Sequence, residues 1–476
     1  MKKKRRAGLA KRYIKKRWDF LSQDRKGIMH IEGLPVTKLA KKYGTPFYVL
    51  VERKIREKMR LFREAFPYHK LKIQFASKCN SNLEILNIVR QEGGEIDASS
   101  IGEIILALLA DFEPHQITFT NLNKSEQDIY FAAQIGVQAI TVDSYEELKK
   151  IEKIGEALDK KIDVFIRVNP LIEIGKYSTK RHKYGIPFTN VQKSIDYAID
   201  SKYLNLTGFH FHGGYVTTYL GYFRALKKIF KLIAHCKKRD VEIKSIDLGG
   251  GFPYENDSPH YYSPKDFGKK LIKYLEHLCK RHEVVQPNLI FEPGKAIVMN
   301  AGIGVFSVLS KKKLPKRAMI ITDASTYGFL PDVLVIKADY PILPATKMNR
   351  RRIRTYDLAG CTCDYIDMLE HNSKMPVLEE GDLLAAMDCG AYSNVMSSNF
   401  NTLKRAPIIM VYEDGTFKLI RRRDRYSEMF APEMDVLKVY GDPDELKKYY
   451  NVFRANIDKL WGGKKKNGQN ESNGKR

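Results

Sequence analysis

The sequence predicts an α/β protein in which a (β/α)8 barrel is followed by an antiparallel β-domain. From about residue 46, short β-rich runs alternate with stretches whose apolar residues recur at helical spacing. After about residue 300, closely spaced β-rich runs follow one another with little helix between them. The 476 residues, of which 43% are hydrophobic and 29% charged, have the composition and length of a globular protein with about two or three domains.

The β-rich runs of the first region are typical of buried parallel strands. They lie at residues 47–50, 71–77, 94–99, 116–120, 139–144, 162–169, 206–212, 243–249 and 288–293. Between them, segments such as 54–66 and 144–158 carry apolar residues at i, i+3 and i+4, with Lys and Glu on the other face. Strand–helix repetition implies parallel strands joined by crossover helices. About eight such units fit a closed barrel better than an open sheet.

The second region reads as strands separated by turns. Its β-rich runs are residues 302–310, 318–323, 332–338, 382–390, 406–414 and 415–423. Such a succession predicts an antiparallel sheet. A helical segment at residues 442–461 is expected to close the domain before a tail rich in Gly, Asn and Lys.

The positive charge is concentrated at the two ends. Residues 1–18 hold ten Lys and Arg and no acid, and both ends together carry over half of the net charge of +26. Nucleic-acid or membrane contact would use such ends, but no nucleic-acid module follows, so we interpret them as solubilising. We therefore expect a basic segment at 1–45, flexible at first and then packed on the β-domain. The barrel follows at 46–300, the β-domain at 301–461 and a disordered tail at 462–476.

Membrane, secreted and zinc-binding classes are not expected. No run approaches the roughly 20 apolar residues of a membrane span, and residues 1–18 lack a signal-peptide core. Six cysteines in so long a chain make no disulfide framework, which favours the cytoplasm. Cys361 and Cys363 have no second Cys or His pair nearby, so we expect no metal site.

Polar residues converge where the predicted barrel strands end, which is where barrel active sites lie. They are Lys78, Arg167, His212, the glycines Gly249, Gly250 and Gly251, and Glu292. A lysine amine, a glycine-rich phosphate cradle, a carboxylate for a ring nitrogen and a flat imidazole are the groups that pyridoxal phosphate requires. The sequence therefore predicts a site for that cofactor.

Nine ordered blocks carry a family resemblance over about residues 40 to 435. They read FASKCNSNLEIL, EIDASSIGEI, IRVNP, KYGI, HFHGG, DLGGGFP, EPGK, GCTCDYID and CGAYSNVMSSNFN. The order resembles the pyridoxal-phosphate-dependent decarboxylases of the alanine-racemase fold (fold type III), in particular those acting on diaminopimelate, ornithine and lysine. The resemblance implies a pyridoxal-phosphate-binding (β/α)8 barrel followed by a β-domain.

The resemblance implies these cofactor contacts. Lys78 corresponds to the Schiff-base lysine, His212 to the histidine stacked on the ring, and Glu292 to the carboxylate on the pyridine nitrogen. Asp97 is expected to organise Lys78 or Arg167, the arginine beside the cofactor. The other expected cofactor contacts are Gly249, Gly250, Gly251, Gly294 and Tyr392.

The resemblance also implies a shared active site. Cys363 corresponds to the cysteine that a second subunit supplies as a proton donor, so we expect a homodimer. Asp364 corresponds to an acid that contacts the substrate's distal amine. Lys295 and Tyr392 are the other expected substrate contacts.

Substrate signatures of the family are incomplete in this chain. Lys295 replaces the arginine of EPGR, which keeps the charge but loses the bidentate fork. Leu330 and Leu334 stand where diaminopimelate decarboxylases carry Arg and Tyr, and Val335 and Ile336 stand where ornithine decarboxylases carry Tyr and Asp.

We expect decarboxylation of a diamino acid, with meso-diaminopimelate giving lysine and CO₂ as the first candidate. Ornithine, lysine, arginine and carboxynorspermidine remain alternatives. A racemase is disfavoured by Glu292 and Cys363, since the racemases of this fold place arginine at the ring nitrogen. A non-catalytic regulator and a nucleic-acid binder are the remaining alternatives. The regulator would be expected to lack the lysine or the cysteine, and both are present.

Overall fold

The computed structural model describes residues 17–254, 262–315 and 317–440. The chain divides into two compact units, Met1–Arg423 and Asp424–Arg476. The closing helix predicted at 442–461, the tail and most of residues 1–18 lie outside the described residues.

The described chain opens with a small antiparallel sheet and one helix. The sheet consists of β1 (Leu21–Gln23), β2 (Met29–Ile31) and β3 (Leu34–Pro35), and the helix is α1 (Val36–Tyr43). The next element is the strand β4 (Phe47–Val51). The indole of Trp18 is buried and donates a hydrogen bond of 2.7 Å to Asp388. This contact ties the N-terminal segment to a residue just after a strand of the C-terminal sheet.

Eight parallel strands form a closed barrel. The barrel strands are β5 (Leu71–Ala76), β6 (Glu95–Ala98), β7 (Ile117–Thr120), β8 (Ala139–Val142), β9 (Ile162–Asn169), β13 (Leu204–His210), β14 (Ser245–Asp247) and β15 (Asn288–Phe291). Between β9 and β13, β10 (Glu173–Ile174) and β11 (Tyr177–Ser178) form a small hairpin, and β12 (Ile186–Pro187) is a short strand added beside β9. The barrel order is β9-β13-β14-β15-β5-β6-β7-β8, and the β8–β9 pairing closes it. All carboxyl ends therefore meet at one face.

Helices connect the barrel strands and cover their outer side. They are α2 (Glu52–Ala65), α3 (Leu83–Gln91), α4 (Ile101–Leu109), α5 (Glu126–Ile135), α6 (Tyr145–Ala157), α7 (Val191–Asp200), α8 (Leu220–Lys237), α9 (Pro264–His282) and the short α10 (Lys295–Val298). The apolar stripe of α2 is buried at Ile55, Met59 and Phe62, as its spacing predicts. Serine side chains cap α4 and α6, where Ser100 and Ser144 accept from backbone N–H groups in the first turn.

The second sheet contains nine strands and is mixed rather than purely antiparallel. Its elements after the barrel are β16 (Gly302–Lys313), β17 (Ala318–Thr322), α11 (Asp332–Val335), β18 (Ile342–Leu343), β19 (Arg354–Ala359), β20 (Met368–Met375), β21 (Leu383–Met387), β22 (Ile408–Val411) and β23 (Phe417–Arg421). Most pairs are antiparallel, but β17 runs parallel to β19 and β22 runs parallel to β4. The long strand β16 links three neighbours.

Two predicted strands belong elsewhere. Phe47–Val51, expected to begin the barrel, pairs with β16 and β22 in the second sheet, and all five of its residues are buried. The sequence of a short apolar run does not determine which sheet the strand joins. The run at 332–338, expected to be a strand, begins as helix α11, because Pro331 already has helical φ and ψ of −63° and −28°.

The described residues of the second unit form α12 (Tyr426–Met429) and α13 (Ala431–Tyr440). Over the described ranges, none of the helices combines the length and hydrophobicity needed to traverse a bilayer.

Candidate active site

Lys78 lies in a short 3-10 turn, Ser77–Cys79, directly after β5. Its ammonium donates a hydrogen bond of 2.8 Å to Asp97, which lies in the neighbouring strand β6 and is fully buried. Burial alone would lower the pKa of Lys78, but the carboxylates of Asp97 and Glu292 outweigh it and raise that pKa above its usual value. Of the two partners expected for Asp97, it is Lys78 that the carboxylate contacts.

The turn that carries Lys78 is braced from several sides. Glu103 accepts hydrogen bonds of 2.7 Å from the Ser77 hydroxyl and from the backbone N–H of Ser99. Gly294 packs so closely that a Cβ there would lie 3.0 Å from the Cys79 sulfur. These contacts fix the lysine's starting point at the barrel mouth.

Glu292 follows β15, the strand next to β5, and its side chain has no exposed surface. Its Oε1 lies 3.1 Å from Nε2 of His210. One carboxylate oxygen of Asp247, one of Glu292 and one ring nitrogen of His210 all lie within 4.8 Å of one another. Burial is the main cause that raises the pKa of Asp247, and the carboxylate of Glu292 is the second. Burial also lowers the pKa of His210 well below its usual value.

His212 lies two residues beyond β13 and is held in one orientation. Its Nδ1 accepts a hydrogen bond of 2.9 Å from the backbone N–H of Gly214, so the ring proton resides on Nε2. Burial lowers the pKa of His212 to about 3. The imidazole is therefore neutral at physiological pH and presents a flat, uncharged face.

The three glycines form a tight corner against the ends of β13 and β15. Gly249 and Gly251 have φ of +66° and +88°, which favour glycine. A Cβ on Gly249 would lie 2.3 Å from the Phe211 carbonyl oxygen, and one on Gly251 would lie 2.5 Å from that of Gly214. A Cβ on Gly250 would lie 2.4 Å from the Glu292 carbonyl oxygen. Only glycine fits all three positions without displacing backbone.

Arg167 lies two residues before the end of β9 and pairs with a carboxylate that the sequence patterns did not single out. Its guanidinium lies 3.3 Å from Asp143 and 4.6 Å from the ring centre of Tyr184. The ring centres of Tyr184 and His212 are 5.9 Å apart. Asp143 also accepts the backbone N–H of Gly185 at 3.0 Å. This chain of contacts connects Arg167 to the His212 side of the site.

Tyr392 reaches the same region from the loop after β21. Its backbone N–H donates a hydrogen bond of 2.8 Å to the carbonyl oxygen of Cys79, and its φ is +57°. Burial raises the pKa of Tyr392, so the phenol stays protonated. Asn80 donates to the carbonyl oxygen of Gly390 at 2.8 Å, which attaches this loop to the Lys78 turn a second time.

Lys295 begins α10 directly after Gly294. Its ammonium lies 5.7 Å from the ring centres of both Tyr215 and Tyr254. Tyr215 is 71% exposed, so Lys295 lies toward the mouth of the barrel.

Cys363 and Asp364 lie together on an exposed loop between β19 and β20. The Cys363 sulfur accepts a hydrogen bond of 3.5 Å from Asn401, and Asp364 accepts one of 2.5 Å from the Tyr327 hydroxyl. The backbone N–H of Cys363 also donates a hydrogen bond of 3.2 Å to the side-chain oxygen of Asn401. Their hydrogen bonds thus attach these two residues to the loops of the second sheet.

Pyridoxal phosphate fits the residues at the carboxyl end of the barrel. Lys78 offers an amine, and Glu292 offers a buried oxygen, Oε2, that lacks a hydrogen-bond partner among the described residues. A protonated pyridine nitrogen would supply that partner. Gly249, Gly250 and Gly251 lie at the same end of the barrel, and glycine-rich backbone is the kind of element that binds a phosphate.

The sequence patterns gave no role to three residues of this cluster, although two of them, His210 and Asp247, lie within the HFHGG and DLGGGFP motifs. His210 and Asp247 are the last residues of β13 and β14, so their strand-end positions were the available signal. Asp143 also follows a strand, β8, but its pairing with Arg167 joins residues 24 positions apart and leaves no sequence motif.

Comparisons with known proteins agree with this geometry. The family model described as "Pyridoxal-dependent decarboxylase, pyridoxal binding domain" matches residues 52–299. Diaminopimelate decarboxylase of Aquifex aeolicus is 30% identical over 422 residues, covering 87% of this chain and 97% of that protein. The enzyme of the same name from Archaeoglobus fulgidus is 30% identical over 417 residues, covering 86% and 97%.

A solved structure shows the same architecture. The crystal structure of diaminopimelate decarboxylase from Methanocaldococcus jannaschii superposes with a TM-score of 0.80 at 27% identity, covering 87% of this chain and 97% of that one. A further structure of that enzyme contains L-lysine. With its matching barrel, its cofactor-fitting residues and relatives of nearly equal length, the chain belongs to the pyridoxal-dependent decarboxylase family.

Proposed function

We propose that this protein decarboxylates meso-diaminopimelate to lysine and CO₂. The observation that carries the proposal is the cluster of the half-buried Lys78 with the buried carboxylates of Asp97 and Glu292 at the ends of adjacent strands. It combines an amine for the cofactor aldehyde with a carboxylate for the ring nitrogen. Curated relatives of about 30% identity that carry the name diaminopimelate decarboxylase support the substrate.

Each residue of the site would have a separate role toward the cofactor. Lys78 would hold the cofactor, Oε2 of Glu292 would keep the ring nitrogen protonated, and the neutral imidazole of His212 would pack against the ring. Bound there, pyridoxal phosphate supplies an electron sink for the pair left behind when CO₂ departs. Burial and the nearby Glu292 carboxylate raise the pKa of Asp97, and the Lys78 ammonium opposes that rise.

Cys363 would return a proton from its sulfur to the α-carbon, coming from a partner subunit. Its exposed position on a loop of the second sheet supports this assignment. The loops around it carry exposed apolar side chains typical of an interface, among them Tyr365 at 91%, Ile366 and Phe400. Asp364 beside it would face the same partner site. We propose a two-fold dimer with shared active sites.

The role of Cys363 also bears on location. A thiol that donates protons must stay reduced, and Cys361 and Cys363 are both free and exposed. We propose the cytoplasm, where thiols are kept reduced.

A CO₂-release screen tests the substrate. The protein loaded with pyridoxal phosphate is offered diaminopimelate, ornithine, lysine, arginine and carboxynorspermidine separately. We expect the highest kcat/KM with meso-diaminopimelate. A higher value with ornithine, lysine, arginine or carboxynorspermidine would overturn the substrate and keep the reaction class, whereas no CO₂ from any of them would overturn the function.

A further inference from the structure

Lys124 is a buried lysine to which the proposed reaction assigns no role. Its side chain has no exposed surface, and its ammonium donates to the carbonyl oxygens of Asn121 and Thr141, at 3.0 and 2.6 Å, and to the carboxylate of Glu147, at 3.0 Å. An ammonium has three donors, so none remains for a cofactor or a substrate. The side chain of Lys78, in contrast, is 35% exposed. Any effect of Lys124 on the site therefore passes through its partners.

Glu147 is the partner that connects Lys124 to the site. Its Oε1 accepts from Lys124, and its Oε2 accepts a hydrogen bond of 2.8 Å from the backbone N–H of Asp143. Asp143 directly follows β8, and its Oδ1 accepts from the guanidinium of Arg167 at 3.3 Å and from the backbone N–H of Gly185 at 3.0 Å. The ion pair thus fixes the main chain of the residue whose side chain holds Arg167.

The same construction occurs a second time among the helices that follow barrel strands. Ser100 caps α4 and accepts from the backbone N–H of Glu103, as Ser144 does from Glu147 at the start of α6. In an ordinary capping box the carboxylate accepts the serine's own N–H. Here both glutamates accept the N–H of the residue before the serine, at 2.7 and 2.8 Å. Glu103 also accepts from the hydroxyl of Ser77, in the turn that carries the proposed Schiff-base lysine. Both glutamates therefore brace the segment that follows a barrel strand.

Stability alone is a weak explanation for the ion pair of Lys124 and Glu147. Burial lowers the pKa of Lys124, and the Glu147 carboxylate opposes that change. Removing two charges from water costs about as much as their attraction returns, so an apolar pair of similar volume is often equally stable. An apolar pair would not supply an acceptor for the buried N–H of Asp143. The specific contribution of the ion pair is therefore geometric.

We propose that the ion pair of Lys124 and Glu147 is a positioning device for Arg167. The pair fixes the backbone of Asp143, whose carboxylate then holds the guanidinium 4.6 Å from the ring centre of Tyr184. The inference deepens the proposed function and rests on it, since it takes Arg167 to lie beside the cofactor. A misplacement of about 1 Å in such a group can lower a rate about 100-fold.

Two double variants separate positioning from stability. Lys124→Met/Glu147→Leu removes both charges and the acceptor for the N–H of Asp143, whereas Lys124→Met/Glu147→Gln removes both charges and keeps an acceptor oxygen. Hydrogen exchange at saturating pyridoxal phosphate, read by mass spectrometry, and titration of apoprotein with pyridoxal phosphate compare them. We expect the leucine variant to exchange faster in the peptides containing Asp143 and Gly185 and to bind the cofactor roughly 10- to 100-fold more weakly. The glutamine variant should stay near wild type in both measurements.

Asp128→Asn is the matched control, because that carboxylate completes an exposed capping box with Ser125 at the start of α5. It should change neither measurement. Equal behaviour of the two double variants, whether both keep or both lose cofactor affinity, would overturn the inference, since the acceptor for Asp143 would then make no difference.

Asp143→Asn provides a test that does not depend on the folding of the leucine variant. The amide keeps the backbone bond to Glu147 but holds Arg167 less tightly, so cofactor affinity should fall while the exchange of the Asp143 peptide stays slow. Unchanged affinity would overturn the inference. Neither readout needs turnover. If wild type released no CO₂ from any diamino acid, the proposed function would fail, and exchange and cofactor titration would still decide the role of the ion pair.

Discussion

The Nζ atom of Lys78 donates a hydrogen bond of 2.8 Å to Oδ2 of Asp97, whose side chain has no exposed surface. The bond joins the ends of two adjacent parallel strands, β5 and β6. The buried carboxylate keeps the amine charged until a reaction removes its proton. The geometry thus links the lysine's reactivity to one neighbouring residue.

Asp97→Asn should shift the pH dependence of cofactor attachment. The carboxylate raises the pKa of Lys78, and the neutral amine is the form that attacks an aldehyde, so the amide should move the midpoint of attachment to lower pH. Stopped-flow absorbance after mixing apoprotein with pyridoxal phosphate across pH measures this midpoint. Glu103→Gln, which alters the neighbouring acid that contacts Ser77, is the control. A midpoint unchanged or raised in Asp97→Asn would contradict the account.

Glu292→Gln should lower kcat without emptying the site. An amide cannot keep the ring nitrogen charged, and losing one preorganised electrostatic partner costs about 10²-fold or more in kcat. CO₂ release per bound cofactor measures the effect. Glu95→Gln, at the start of β6 and paired with Lys72, is the matched control and should retain most activity. Near-normal kcat in Glu292→Gln would remove the carboxylate from the mechanism.

Gly251→Ala and Gly33→Ala separate backbone strain from steric conflict. Both glycines have positive φ, +88° and +77°, but only Gly251 would bring a Cβ against other atoms. Gly33→Ala should cost ~1 kcal/mol of unfolding free energy from strain alone. Gly251→Ala should cost more and weaken cofactor binding. Urea unfolding and titration with pyridoxal phosphate measure the two effects. Equal losses in both variants, with cofactor affinity intact, would argue against a cofactor cradle.

Mixing two inactive variants tests the shared site. Lys78→Ala and Cys363→Ala proteins should each be nearly inactive alone. Heterodimers formed after subunit exchange hold one site with both residues intact, so CO₂ release should return in part. Mixing Lys78→Ala with Lys78→Ala/Cys363→Ala restores no such site and is the control. If activity stays absent although exchange is demonstrated, the partner does not supply Cys363.

The sequence predicted the residues at strand ends better than the pairings between distant segments. Lys78, His212 and Glu292 follow β-rich runs, and a closed barrel brings all such ends to one face. The motif order also indicated the cofactor. Asp143 was not predicted, because its pairing with Arg167 depends on which strands become neighbours.

The second sheet shows the limits of local patterns more clearly. The strand at Phe47–Val51 is uniformly apolar, and only tertiary pairing assigns it to β16 and β22 instead of the barrel. The run at 332–338 was predicted as a strand because it is rich in Val, Leu and Ile, which favour strands, although Pro331 starts a helix there.

Peptide mapping after borohydride reduction tests directly whether Lys78 carries the cofactor. Reduction of the protein loaded with pyridoxal phosphate fixes the phosphopyridoxyl group on the lysine that holds it, and mass spectrometry locates that lysine. The account predicts near-stoichiometric modification of the peptide containing Lys78, and none in Lys78→Ala. Modification at a different lysine, or an equal yield in Lys78→Ala, would contradict it.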